Sequence, residues 1–150
     1  MSVLAAIRPD DLNLPLFVHV AGAMLLVAAL IVVIVVGGVA LRRGDGTVAL
    51  TQLAFRGLLI GVFPAYILMR GGAEWLAAEQ EWGEPAWIGI GYGVADLGLL
   101  LAIIATVLAW RAAKRRGDGP GGMGRAVVAL AGILLVAYLI AIWAMTTKPA

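Results

Sequence analysis

The chain contains no cysteine, which excludes disulfides, thiolate zinc sites, iron–sulfur clusters and cysteine nucleophiles. It has a single histidine, His19, and a single serine, Ser2, so no Ser/His/Asp hydrolytic order can be assembled from it. No P-loop or dinucleotide fingerprint appears, and the glycine pair of GGAEW at 71–75 lacks the strand context such motifs need. Charge is also scarce. Only 13% of the 150 residues are charged, against 63% hydrophobic, with a mean hydropathy of +1.01. A soluble domain of this length needs a polar surface that this composition cannot supply.

What is present is a set of apolar runs long enough to cross a bilayer. The sequence predicts an all-α, polytopic membrane protein: one transmembrane domain spanning 1–150, a four-helix bundle with spans at about 16–41, 48–69, 87–110 and 126–145. The net charge of +2 and pI of about 9.4 would suggest nucleic acid in a soluble protein. Here the basic residues flank apolar spans and act as topology determinants, so no nucleic-acid partner is expected. Arginine outnumbers lysine nine to two, and Ala, Gly and Val abound, a composition that fits a GC-rich bacterial gene.

The opening MSVLAAIRPDDLNLP is a short mixed-charge tail. The run that follows, Leu16 to Leu41, is too long for a signal-peptide core, and its basic flank, Arg42–Arg43, lies on the far side. It reads as a retained helix of ~39 Å, which exceeds the ~30 Å hydrocarbon core and implies tilt or a projecting end. Ala21, Gly22, Ala23, Gly37 and Gly38 permit close helix approach. The RRGDGT loop at 42–47 is turn-like.

The second span carries a charge inside its apolar run, Arg56. Pro64 should kink it, because proline frees a carbonyl one turn earlier. At 100° per residue, Gln52, Arg56, Leu59, Phe63, Tyr66 and Arg70 fall within about 80° of arc, a polar stripe facing neighbouring helices. Residues 71–86, GGAEWLAAEQEWGEPA, hold four glutamates and bring Trp75 and Trp82 to one side of a short helix. An interfacial helix at about 73–82, lying flat at headgroup level, is expected there; a lid over a pocket is the functional alternative.

The third span has tryptophan at both ends, Trp87 and Trp110. Its glycine-rich half, GIGYGVADLG, contains Gly89-x-x-x-Gly93 and places Tyr92 one turn before Asp96. The fourth span is apolar apart from Tyr138, with Trp143 near its end. Arg42, Arg43, Arg111, Lys114, Arg115, Arg116 and Arg125 cluster in the loops after spans one and three. The positive-inside rule places those loops in the cytoplasm and both termini outside, in a bacterial plasma membrane. Short basic loops also suit anionic lipid headgroups without a specific ligand.

Two constellations follow. Arg56 lies roughly 6 Å to the cytoplasmic side of its helix centre, and Asp96 roughly 4–5 Å to the outer side. The pair, with Gln52, Tyr66 and Tyr92 around it, forms an intramembrane polar cluster. It is read as a structural ion pair fixing helix register, or alternatively as a proton or ion relay; otherwise the two charges find water or snorkel separately. Separately, His19 shares the outer level with Met69 and Met145. Imidazole with thioether suits copper(I) or a haem iron. A hydrogen-bonded packing role for His19 stands beside that reading. Bis-histidine haem ligation would need a symmetric dimer.

Phe17-Val18-His19-Val20-Ala21-Gly22-Ala23 resembles the F-x-H-x-x-G-[small] opening helix of a loose group of bacterial membrane proteins. That group includes copper-resistance-protein-D-like chains and integral membrane proteins of unknown function. Phe63-Pro64 and Asp96-Leu97-Gly98 are similar to segments of four-span proteins of the same sort. The resemblance implies a four-span fold and, through its copper and haem branches, a ligand role for His19. Those branches carry further histidines, whereas this chain has one. The functional expectation is therefore a non-catalytic accessory or packing subunit, partnered by the lipid bilayer and by further copies or other membrane subunits. A haem- or copper-binding redox accessory and a proton- or ion-coupled transporter are the alternatives.

Overall fold

A computed structural model of the chain describes residues 12–44, 48–79, 86–114 and 121–147. Four long helices account for nearly all of them: Asn13–Arg43, Val48–Glu79, Ala86–Lys114 and Gly121–Thr147. Each is long and apolar enough to cross a membrane. The chain is an all-α multi-pass membrane protein, with its helices in up-down order. Phe17, Met24, Ile60, Ile67, Leu97 and Trp143 are each more than 60% exposed on the outside of the bundle. Apolar side chains displayed on all four helices make sense only against lipid, where backbone polar groups must be satisfied within the helix. The hydroxyls comply as well: Thr106 donates to the Ala102 carbonyl at 2.7 Å, and Thr146 and Thr147 to that of Trp143 at 2.9 Å.

Consecutive helices are antiparallel, which gives the bundle two ends of opposite character. Arg42, Arg43, Arg56, Arg111, Lys114 and Arg125 belong to one, the basic end; Glu74, Glu79 and Asp96 belong to the other, the acidic end. The first helix packs on the second and the fourth, and the third packs on the fourth. The second and third helices meet mainly near the basic end and only thinly at the acidic end. Gly44 ends the first helix with φ 68°, its N–H donating to the Ala40 carbonyl at 3.2 Å. Glycine takes this left-handed position because a Cβ would not.

Small residues set the helix spacing. On the third helix the buried positions are Gly91, Ala95, Gly98, Ala102, Ala105, Ala109 and Ala112. Alternating steps of four and three make a seven-residue seam that lets helices approach closely. Gly89 and Gly93 are outside this seam, exposed and with nothing within 4 Å of a built Cβ. The small-xxx-small pattern is thus not used inside the bundle.

Three expectations change here. First, Pro64 is accommodated by a π-helical stretch, Gly57–Val62, in which the Phe63 N–H reaches back five residues to the Leu58 carbonyl. The wider turn relieves the clash of the proline ring with the carbonyl one turn earlier. It also inserts residues without matching rotation, so the halves on either side turn relative to each other by about 100°. The single polar stripe is therefore split. Gln52, Arg56 and Leu59 are exposed on the outside, while Tyr66 is buried and Arg70 half-buried on the inside.

Second, no separate helix begins at 73. The second helix runs unbroken through Gly71 and Gly72 to Glu79, because glycine inside a long helix packed on a neighbour costs only about 1 kcal/mol against alanine. Trp75 and Glu79 lie on that continuation, joined by a 3.4 Å hydrogen bond. The remainder of the expected interfacial segment, 80–82 with Trp82, falls outside the described residues, as do the tail 1–11 and Arg115–Arg116. Third, Asp96 meets Arg70 rather than Arg56.

Candidate functional site

The first and second helices cross where their glycines meet each other's backbone. A Cβ on Gly22 would strike the Met69 backbone, and a Cβ on Gly72 the His19 backbone. Two glycines on opposite helices thus bring main chain against main chain, the closest approach two helices can make. The crossing sets His19 beside Met69, and the imidazole Nδ1 donates to the Met69 carbonyl at 2.8 Å. A carbonyl can only accept, so the proton sits on Nδ1, and in the neutral ring Nε2 keeps its lone pair.

One residue further along, Arg70 reaches toward the third helix. Its Nη2 lies 3.1 Å from Glu74 Oε1 and 3.7 Å from Asp96 Oδ1, and its guanidinium stacks 4.2 Å from the Tyr92 ring centre. The cluster bridges two neighbouring helices that otherwise touch only thinly at this end. The pair with Asp96 is not buried: the Asp96 side chain is 67% exposed and that of Arg70 28%. Such a pair is worth about 0–1 kcal/mol in water, and rather more as the surroundings become less polar.

Behind this clasp lies a cavity of about 60 Å³, walled by all four helices. His19, Met69, Arg70, Tyr92, Tyr138 and Met145 contribute to its lining. The third helix makes room by omission. A Cβ on Gly91 would collide with the Met145 methyl, and one on Gly98 with the Tyr138 hydroxyl. The cavity does not continue through the bundle. Leu26 forms part of its lining, and beneath it Leu30, Val33, Leu58, Val62 and Leu134, each at most 2% exposed, fill the centre. Close packing of this kind leaves no room for a file of water.

The structure therefore brings His19, Met69 and Met145 together at one cavity, as their shared depth suggested. It also brings Tyr66, Tyr92 and Asp96 to the same end. It separates them from Gln52 and Arg56. Arg56 is fourteen residues from Arg70 on the same helix, roughly 20 Å away along the axis, and lies exposed. Among the described residues, no three of His, Cys, Asp and Glu gather into a metal-holding group, so a metal here would have to be held with thioether.

Sequence reasoning missed Arg70 as the partner of Asp96, yet a signal existed. Arg70 is nine residues from the end of its helix at Glu79, and Asp96 ten from the start of its own at Ala86. At 1.5 Å per residue both are about 14–15 Å from the helix ends, at matching depth. Ending the second span at Met69 concealed that match. Compared with known proteins, the chain matches no family model, no curated protein and no solved structure.

Proposed function

We propose that this protein is a non-catalytic accessory subunit of a bacterial plasma membrane, with a ligand pocket open to one side only. The observation that carries the reading is the division of the bundle. Apart from Thr51 and Thr106, its inward polar groups, among them His19, Tyr66, Arg70 and Tyr138, lie toward the acidic end, and a tightly packed apolar centre lies below them. That arrangement supports a pocket or an assembly surface over a conduction path. The cluster of Arg42, Arg43, Arg111, Lys114 and Arg125 supports an orientation with the basic end in the cytoplasm and both termini outside. Cysteines introduced singly at Lys114 and Glu79 test this in a cysteine-free background. A membrane-impermeant maleimide added to intact cells is expected to label the second and not the first.

The proton- or ion-coupled reading makes the opposite demand on the centre of the bundle. Reconstituted into liposomes with a pH-sensitive dye and an imposed gradient, the protein is expected to carry no flux above empty vesicles. Flux that Asp96→Asn abolishes would reject the accessory reading. A metal-binding accessory is the second reading, favoured by the shared cavity of His19, Met69 and Met145. At about 60 Å³ that cavity has room for an ion or a few waters, and not for a haem macrocycle.

A further inference from the structure

We propose that the outward face of the third helix docks a transmembrane helix of another protein, one that carries an arginine or lysine at the depth of Asp96. The inference rests on the accessory reading above and names the surface and the partner's chemistry.

Charge balance carries it. The third helix, Ala86–Lys114, is 29 residues long, so its midpoint is Leu100 and Asp96 lies about 6 Å from it along the axis. The hydrocarbon core reaches about 15 Å to either side of the bilayer centre. Asp96 is therefore well inside it, with a side chain 67% exposed. A carboxylate facing acyl chains at that depth is among the costliest placements in a membrane. Arg70 meets only part of the demand. It stands 3.7 Å from Asp96 and closer, 3.1 Å, to Glu74, so two carboxylates share one guanidinium. Among the described residues no other lysine or arginine lies at this end. The cluster keeps one net negative charge, and acyl chains offer no donor to answer it.

The face around Asp96 is shaped for a helix. Gly89, Gly93, Asp96, Leu100 and Ile103 recur at alternating steps of four and three, and all are exposed. This is a seven-residue seam of the kind by which helices pack, laid on the side away from the alanine seam inside the bundle. A Cβ at Gly89 or Gly93 would meet nothing within 4 Å. A neighbouring backbone can thus approach closely one turn from Asp96 and bring its side chains onto the carboxylate.

Charge also decides which helix. A second copy of this chain, oriented alike in the membrane, would set Asp96 at the depth of Asp96 and add one net negative charge to another. A cation on the partner cancels the charge instead. The low dielectric that makes the excess carboxylate costly then strengthens the pair.

The test uses the full-length protein in phosphatidylcholine vesicles, with a donor dye on a single cysteine introduced as Lys114→Cys. Its partners are acceptor-labelled synthetic leucine–alanine helices of about 22 residues. One carries a single arginine about four residues from its midpoint, the depth of Asp96; the control carries leucine there. Energy transfer should report association of the arginine helix about tenfold tighter than that of the control. Asp96→Asn should erase the preference. Gly93→Leu, which leaves the bundle intact, should weaken the arginine helix by about threefold or more. Equal affinity for the two helices would overturn the proposal, as would a preference that survives Asp96→Asn or binding unchanged in Gly93→Leu. Transfer between donor- and acceptor-labelled copies of the chain that matches the arginine helix would also overturn it and give the face to self-assembly. The accessory reading fails on proton flux instead, so the two fail separately.

Discussion

At the basic end of the bundle, Gly37, Ala40, Ala54, Ala109 and Gly124 close the helices around a void of only about 10 Å³. The charged residues there, Arg42, Arg43, Arg56 and Arg111, are exposed on the outside. At the acidic end, glycines seat larger groups instead. Gly91 and Gly98 give way to Met145 and Tyr138, and Gly22 and Gly72 lock the helix crossing that positions His19. The same residue type shuts one end and hollows the other. What decides between these outcomes is the partner across the seam: alanine, glycine or valine at the basic end, methionine, tyrosine or histidine at the acidic end.

This contrast is breakable by substitution. The largest effect is expected at the crossing. Gly72→Leu forces a side chain into the His19 backbone and should destabilise the bundle by about 3 kcal/mol. Gly93→Leu on the outside of the third helix should change stability by less than about 0.5 kcal/mol. Thermal unfolding in micelles, followed by circular dichroism, compares the two directly.

A smaller loss is expected at His19. His19→Phe keeps an aromatic ring but removes the side-chain donor to the Met69 carbonyl, which should cost about 0.5–1.5 kcal/mol. The smallest effect belongs to the basic end. Arg56→Leu should shift unfolding of the assembled bundle by less than about 0.5 kcal/mol. The same change should ease membrane insertion of the second helix by roughly 2.5–3.5 kcal/mol, readable in a translocon insertion assay. Length lets Arg56 reach toward the headgroups from about 12 Å inside its helix start at Val48, so it needs no partner within the chain.

Much of the fold was legible because lipid imposes so few solutions. Four apolar runs of sufficient length could only be helices, and their basic loops alternate with acidic ones. The gathering of His19, Met69 and Met145 was legible too, since up-down topology alone puts them at one level. Local helix geometry was not. A projection at 100° per residue assumes one helix type throughout, and the π-helical stretch before Pro64 broke that assumption. It turned Gln52 and Arg56 out of the stripe they share on paper with Tyr66 and Arg70. The continuation of the second helix to Glu79 was hidden by Gly71–Gly72, a helix-breaking signal in water that packing against the first helix overrides.

The division of the bundle into two unlike ends rests most directly on which arginine meets Asp96. A double-mutant cycle in micelles, with Arg70→Met and Asp96→Asn singly and together, should return a coupling of about 0.5–1 kcal/mol. The parallel cycle with Arg56→Met should return none, because the two groups lie at opposite ends. Coupling of Asp96 to Arg56, with none to Arg70, would contradict the division of the bundle into two unlike ends.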